Sequence, residues 1–594
     1  MKEFLIRAFA VIGLIVTLLT ILGMVVVEHN KQVAPEEPKT VILSLDFDEP
    51  IVEQNEPSPL DLAMHEDTMP LLDILHAIDK AKDDPKVKGI VAHFGSTQPS
   101  LAQAQEIRAA ILRFRTSGKF TYAFAASYGG FGLGNRAYYL ASAFENIWLQ
   151  PVGSVGLTGL AIQSPFGKAA LEKIGVSADF MQREEYKSFM EMAQRDNFSP
   201  LVRIEMQAML EDLSNQIAGG IAENRNWDVG RVKRLMERGP FTDAEAEKAG
   251  LVTHLGYADE LDNEIEKKAG SAAVQAEVED YLMYRDEAKP AKIKAKVALI
   301  FGTGLIMDKA SGPGDIGGEH VLGADTLAKA FDDAADDKTI KAILFRVDSP
   351  GGSPEASETI RRALVHAQNK GKPVFVSMGE VAASGGYWVA MNADYIAAEP
   401  GTLTGSIGVV GGKFDLSGLM QKVGVSIDTL KTTENAGMWS MNGKFSPAQR
   451  ERVNALLDQT YHAFVKNVSE ARKIPMEKMP DIAKGRVWTG EQAIPIGLVD
   501  QLGGYDVTLG ALRKKLNLSE TDMMSLELFP PPETPVERVM KLLKGFGIES
   551  AMIRSALIQW QGMQTAFSPV WSDMAGFNKP VSARMPGAAL GLVR

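Results

Sequence analysis

The chain has no cysteine among its 594 residues. That excludes disulfides, thiolate catalysis and cysteine-ligated zinc. It also lacks an excess of positive charge. The formal net charge is −12, the opposite of the basic footprint that nucleic-acid binding requires. Histidine is scarce: the eight present are scattered, and none sits in a constellation with a serine. His366 lies in a helical pattern and His93 in an apolar run, where core or surface placement accounts for both. The usual base of a serine nucleophile is therefore missing. What remains, 45% hydrophobic and 23% charged residues, is an ordinary globular composition. The length exceeds one hydrophobic core and implies two to four domains.

One long apolar run is present. Ala8 to Val27 is twenty residues without a charge, the length a helix needs to cross a hydrocarbon core. It ends at Met24 to Glu28 with no small-residue cleavage site, so it reads as an uncleaved anchor rather than a removed signal. Lys2 and Arg7 precede it, which favours a cytoplasmic N-terminus and a body on the far side of the membrane. Residues 28–40 are polar and carry prolines, as a stalk does.

The chain repeats itself. Lys88–Val91 answers Lys341–Leu344, Tyr138–Ala141 answers Tyr387–Ala390, and Pro151 answers Pro400. Further on, Gly175–Asp179 answers Gly424–Asp428, Phe198–Pro200 answers Phe445–Pro447, and Ala249–Val252 answers Ile496–Val499. The offset drifts only from 253 to 249 to 247. Ordered matches at so steady a spacing indicate domain duplication, not a solenoid of short units. Short β-branched runs at Thr40–Leu45, Gly89–Phe94, Lys296–Phe301, Ile343–Val347 and Pro373–Val376 predict buried parallel strands. Helical patterns such as Ala356–Gln368 alternate with them, with Ile360, Leu364 and Val365 on one stripe, so the fold class is α/β. Ser446, Pro447 and Gln449 form a helix-start signature. The expected organisation is an anchor at 1–30, a first repeat at 38–266, a charged connection at 267–294, a second repeat at 295–529 and a tail at 530–594. In the tail, 536–546 and 552–563 have amphipathic helical potential.

Three elements of this repeat invite chemistry. Ser384 stands in Ala383-Ser384-Gly385-Gly386-Tyr387-Trp388, before a predicted helix. A serine there is a good N-cap, but the flanking glycines also let a substrate backbone approach. Asp348-Ser349-Pro350-Gly351-Gly352-Ser353 follows a predicted strand, where paired glycines make a turn or aim an N–H into an oxyanion hole. In the first copy Pro99 holds the corresponding place and has no N–H. The third element is Lys187, in a charged loop where a surface position is the ordinary expectation. At an offset of 249, Lys187 pairs with Ala436 and Ser384 with Asn135. Each copy has kept one of the two residues, as expected if one composite site draws a group from each. A lysine acts as base only when neutral, and burial depresses its pKa. Glu184 and Glu185 would oppose that shift and are expected to point away from Lys187.

Asp348 to Gly352, Ala383 to Trp388 and Leu403-Thr404-Gly405-Ser406-Ile407-Gly408 together resemble the signature blocks of the signal peptide peptidase A family, in its long, duplicated, membrane-anchored bacterial form (protease IV). The resemblance implies two tandem Clp protease/crotonase-like domains, with Ser384 as nucleophile and Lys187 as general base. It puts the oxyanion donors on the N–H groups of Gly352 and Gly385, with Gly351 an alternative to Gly352, and makes Ser406 the serine that orients the lysine. It further implies signal-peptide remnants and other apolar peptides as substrates, no metal or cofactor, a homotetramer, and an inner-membrane protein whose catalytic body is periplasmic. Two other classes fit parts of the pattern: a crotonase-type acyl-CoA enzyme, which has no use for a serine–lysine pair, and a proteolytically inactive membrane scaffold.

Overall fold

The computed structural model describes residues 38–54, 68–130, 132, 134–286, 293–308, 311–313, 320–519, 521–531 and 592–593. The expected anchor at 8–27 and the two amphipathic stretches of the tail lie outside these. Among the described residues no helix is long and apolar enough to cross a membrane.

The first half contains β1 (Val41–Asp46), α1 (Leu71–Asp83), β2 (Val87–Phe94), α2 (Leu101–Arg115), β3 (Phe120–Ala125), α3 (Asn135–Ala141), β4 (Asn146–Leu149), β5 (Ser177–Arg183), α4 (Pro200–Arg225), β6 (His254–Leu255), β7 (Val274–Ala276) and α5 (Val278–Asp286). The second contains β8 (Ile293–Thr303), α6 (Ala324–Asp336), β9 (Ile340–Ser349), α7 (Pro354–Asn369), β10 (Val374–Ala383), α8 (Gly385–Ala390), β11 (Tyr395–Ala398), β12 (Leu403–Gly405), β13 (Val409–Asp415), α9 (Pro447–Arg472), β14 (Val487–Thr489), β15 (Gln501–Leu502), α10 (Tyr505–Lys515) and β16 (Met523–Phe529).

The duplication is visible in the sheet order. The first sheet runs β6-β4-β3-β2-β1-β7 and the second β15-β11-β10-β9-β8-β16, and every neighbouring pair along both paths is parallel. Strands buried on both faces need apolar residues at odd and even positions alike. In β8, Val297 and Leu299 join one core cluster while Ala298 and Ile300 join another. The first of these clusters also holds the core of the first half, so the two halves share apolar packing. A buried ion cluster spans them as well. Arg346 on β9 pairs with Glu53 at 2.8 Å and with Glu106 on α2 at 2.6 Å.

The local signals read as expected at α9. The Ser446 hydroxyl accepts the Gln449 N–H, the Gln449 side chain accepts the Ser446 N–H, and Pro447 opens the helix. Helix α4 has the same length and also opens with a proline, Pro200. The charged stretch 267–294 is more structured than a connection. Its β7 completes the edge of the first sheet beside β1, and Val278, Tyr281 and Leu282 of α5 are buried in the first core. The abundance of charge masked three apolar anchors at helical spacing.

One exchange crosses between the halves. Strand β5 leaves the first half and pairs antiparallel with β13 of the second, from Ser177 opposite Asp415 to Arg183 opposite Val409. This pairing carries the segment that follows Arg183, including Lys187, onto the second half.

Candidate active site

Strand β10 is longer than its apolar run predicts. Beyond Met378 it continues to Ala383, where Val381–Ala383 pair with Leu403–Gly405 of β12. Ser384 sits at the end of this extension with φ of 55°, a left-handed conformation that costs a non-glycine residue roughly 1–3 kcal/mol. Its N–H donates to the Gly405 carbonyl at 2.9 Å. Its side chain makes no capping bond to α8, so the helix-cap explanation fails for this serine.

The Lys187 Nζ lies 2.8 Å from the Ser384 Oγ, 2.9 Å from the Ser406 Oγ and 2.9 Å from the Ser406 carbonyl oxygen. The three partners are uncharged, and as an ammonium Lys187 donates to each. Lys187 is 8% exposed. Burial pushes its pKa down from 10.5 to about 8, and the carboxylate of Glu205 opposes that fall. Without its extra proton, Nζ has a lone pair that can accept the Ser384 hydroxyl proton. Ser406 is itself held in a left-handed conformation (φ 50°), with its N–H donating to the Arg486 carbonyl at 2.7 Å. Gly485 approaches so closely that a Cβ there would lie 2.6 Å from the Lys187 backbone nitrogen.

The glycine loop after β9 packs on the same serine. A Cβ on Gly351 would fall 2.6 Å from the Gly385 nitrogen and 2.9 Å from the Ser384 Cβ, and Gly351 has φ of 106°. The Gly351 N–H donates to the Ser349 hydroxyl at 3.2 Å. The N–H groups of Gly352 and Gly385 have no hydrogen-bond acceptor among the described residues, and a Cβ on Gly385 would come within 3.1 Å of the Gly352 nitrogen. These two donors therefore lie together beside Ser384, and Gly351 is occupied elsewhere.

The residues singled out in the sequence, Ser384, Lys187, Ser406, Gly352 and Gly385, thus meet in one place within a single chain. Of the two acidic neighbours of Lys187, Glu185 pairs with Lys484 at 3.3 Å, and neither it nor Glu184 contributes to the Lys187 shift. The carboxylate that does is Glu205 on α4, which the sequence reading missed. Its signal was a glutamate in register with Val202 and Met209 on the buried face of a helix. His366 on α7 is engaged with Asp332 on α6 at 2.9 Å.

The corresponding place in the first half is closed. Asn135 is 2% exposed. Its side chain donates to the Gly159 carbonyl at 2.7 Å and accepts the Thr158 and Gly159 N–H groups at 3.0 Å. The loop after β2 directs its Ser96 and Thr97 N–H groups at the Asp48 carboxylate, which holds that carboxyl below the usual range.

Peptidase family S49 matches the chain twice, over residues 115–272 and 366–519. Protease 4 of Salmonella typhi is 35% identical over 488 residues, covering 80% of this chain and 76% of that protein. Protease 4 of Haemophilus influenzae is 34% identical over 463 residues, covering 75% and 73%. The chloroplastic serine protease SPPA of Arabidopsis thaliana is 28% identical over 485 residues, covering 80% and 69%. Two family matches, one on each half of a chain whose sheets repeat in the same strand order, make this protein a duplicated member of peptidase family S49 and a serine peptidase.

Proposed function

We propose that the peptidase works through a Ser384–Lys187 dyad split between the two repeats. The observation that carries this reading is a buried lysine amine 2.8 Å from a serine hydroxyl with no anion bonded to it. Lys187 takes the Ser384 hydroxyl proton as Oγ attacks a peptide carbonyl carbon. The oxyanion accepts the N–H groups of Gly352 and Gly385. The C–N bond breaks, the departing amine takes the proton from Lys187, and an acyl ester remains on Ser384. Water gives a proton to Lys187 and attacks the ester. The C–O bond then breaks and Ser384 recovers its proton. Ser406 orients Lys187 through its hydroxyl and carbonyl.

In this reading the substrates are cleaved signal peptides and other apolar peptides. Each repeat is a Clp protease/crotonase-like domain, with the first at 38–266 and the second at 295–529. The run at 8–27 anchors the chain in a bacterial inner membrane with its body in the periplasm. The quaternary state is a homotetramer, and the exchange of β5 and β13 supports it. One repeat on from β5, residues 426–432 are exposed and form no strand; one repeat back from β13, residues 160–166 form none either. A second copy docking head to tail can supply the same pairing, and a contact of that kind closes into a ring when its rotation permits.

The test is covalent labelling with a fluorophosphonate. Adduct on Ser384 in the unaltered protein and its loss in Lys187→Ala support the dyad. No adduct and no casein cleavage anywhere from about pH 6 to 10, a range that brackets a depressed lysine pKa, would overturn it.

A further inference from the structure

Glu205 is 3% exposed, deep on the inner face of α4. One of its oxygens, Oε1, accepts the Val487 N–H at 2.6 Å. The other, Oε2, is buried with no hydrogen-bond partner among the described residues. A buried carboxylate oxygen without a partner is costly, and its retention calls for a reason.

The segment that Glu205 grips provides one. Residues 484–487 run between the two halves of the dyad. The Lys484 carbonyl accepts the Tyr186 N–H at 3.1 Å, next to Lys187. Gly485 presses on the Lys187 backbone and donates its N–H to the Ile407 carbonyl at 2.8 Å. The Arg486 carbonyl accepts the Ser406 N–H at 2.7 Å. Val487 pairs with Gly405, whose carbonyl accepts the Ser384 N–H. Glu205 closes this chain of contacts at Val487. It is therefore one hydrogen bond from the strand pair that sets both Ser384 and Ser406.

Its charge bears on the same place. Burial pushes Glu205 up to about 7, against the pull of the Val487 N–H, the Arg486 guanidinium and Lys187. Glu191, whose carboxylate accepts the Ser199 N–H at 3.1 Å, pushes in the same direction as burial. Lys187 and Glu205 thus lose protons over neighbouring pH ranges, each favouring the charged form of the other.

We propose that Glu205 is a positioning residue for the Ser384–Lys187 pair: its carboxylate clamps the 484–487 segment beneath Ser406 and adds a buried negative charge to the surroundings of Lys187. The inference rests on the reading of Lys187 as the base. Glu205→Gln preserves an oxygen for the Val487 N–H and abolishes the charge. Aspartate preserves the charge but is too short to keep that bond. A role confined to packing predicts no change in the pH dependence of either variant.

The experiment measures the second-order rate of fluorophosphonate labelling of Ser384 against pH, on the full chain. In Glu205→Gln the midpoint of the ascending limb falls by about one pH unit, because loss of a neighbouring anion lets Lys187 deprotonate earlier. In Glu205→Asp the midpoint stays where it is and the plateau drops about fivefold, the rate equivalent of one hydrogen bond. A Gln midpoint coincident with that of the unaltered protein overturns the proposal. Should the Gln variant not fold, the Asp variant decides alone, and an undiminished plateau overturns the proposal. Labelling that survives in Lys187→Ala would instead sink the dyad itself, so the two failures are distinguishable.

Discussion

The two repeats share a strand order but use the same position in opposite ways. In the first, Asn135 spends its whole side chain on local hydrogen bonds and lies buried. In the second, Ser384 occupies a left-handed conformation, caps nothing and points its hydroxyl at a lysine from the other repeat. One position is spent on local hydrogen bonds, and the other is held in a strained backbone beside a lysine. Duplication permits this division, because the first repeat still supplies the lysine that meets Ser384 of the second.

The largest effect expected from breaking this comparison is on turnover. Ser384→Ala and Lys187→Ala each lower peptide hydrolysis by roughly 10⁴-fold or more, while Asn135→Ser in the first repeat restores nothing to the Ser384→Ala chain. Mixing the Ser384→Ala and Lys187→Ala chains recovers no activity in a casein assay, since Lys187 meets Ser384 within one chain. Recovery would place the sites between chains.

The ion cluster joining the repeats comes next. Arg346→Ala leaves Glu53 and Glu106 buried without their cation and destabilises the protein by about 3–5 kcal/mol, read as a large fall in Tm. Arg346→Met, which fills the space, falls less. Equal losses in the two variants would show that the filled volume contributes nothing and that the whole loss is that of the buried cation.

The dyad's pH dependence sharpens the comparison further. In the proposed mechanism the neutral amine is the base, and burial pushes the Lys187 pKa down to about 8. The labelling rate therefore rises with pH and reaches half its plateau near pH 8. A midpoint near 10.4, the ordinary lysine value, would mean the amine is not desolvated in solution.

Smallest are the stability effects at the paired positions, and they have opposite signs. Asn135→Ala removes three partly buried hydrogen bonds and costs about 2 kcal/mol. Ser384→Gly relieves the left-handed backbone and stabilises by about 1 kcal/mol, although it abolishes activity. Calorimetric Tm values moving in the same direction for both would erase the distinction between a structural and a strained site.

Much of this was legible in the sequence, for identifiable reasons. Buried parallel strands need apolar residues on both faces, so β1, β2, β8 and β9 announced themselves as short β-branched runs. The capping box at Ser446 is a local interaction, and its residues lie three apart in the chain. The extension of β10 from Glu380 to Ala383 was not legible, because its partner β12 lies twenty residues further on and the pairing is set by tertiary contact. Helix α5 was hidden by the charged residues among its apolar anchors, and β7 by its length of three residues.

By itself the sequence determined the duplication, the α/β class and the complementary survival of Ser384 and Lys187, because offsets, periodicity and residue identity are properties of the chain alone. Tertiary packing alone brings these two side chains, 197 positions apart, to 2.8 Å, and makes Glu205, rather than either adjacent glutamate, the carboxylate that opposes the fall of the Lys187 pKa. Both depend on where β5 crosses to β13 and carries Lys187 onto the second half. Distance and desolvation arise when separate segments pack together, and no local pattern encodes them.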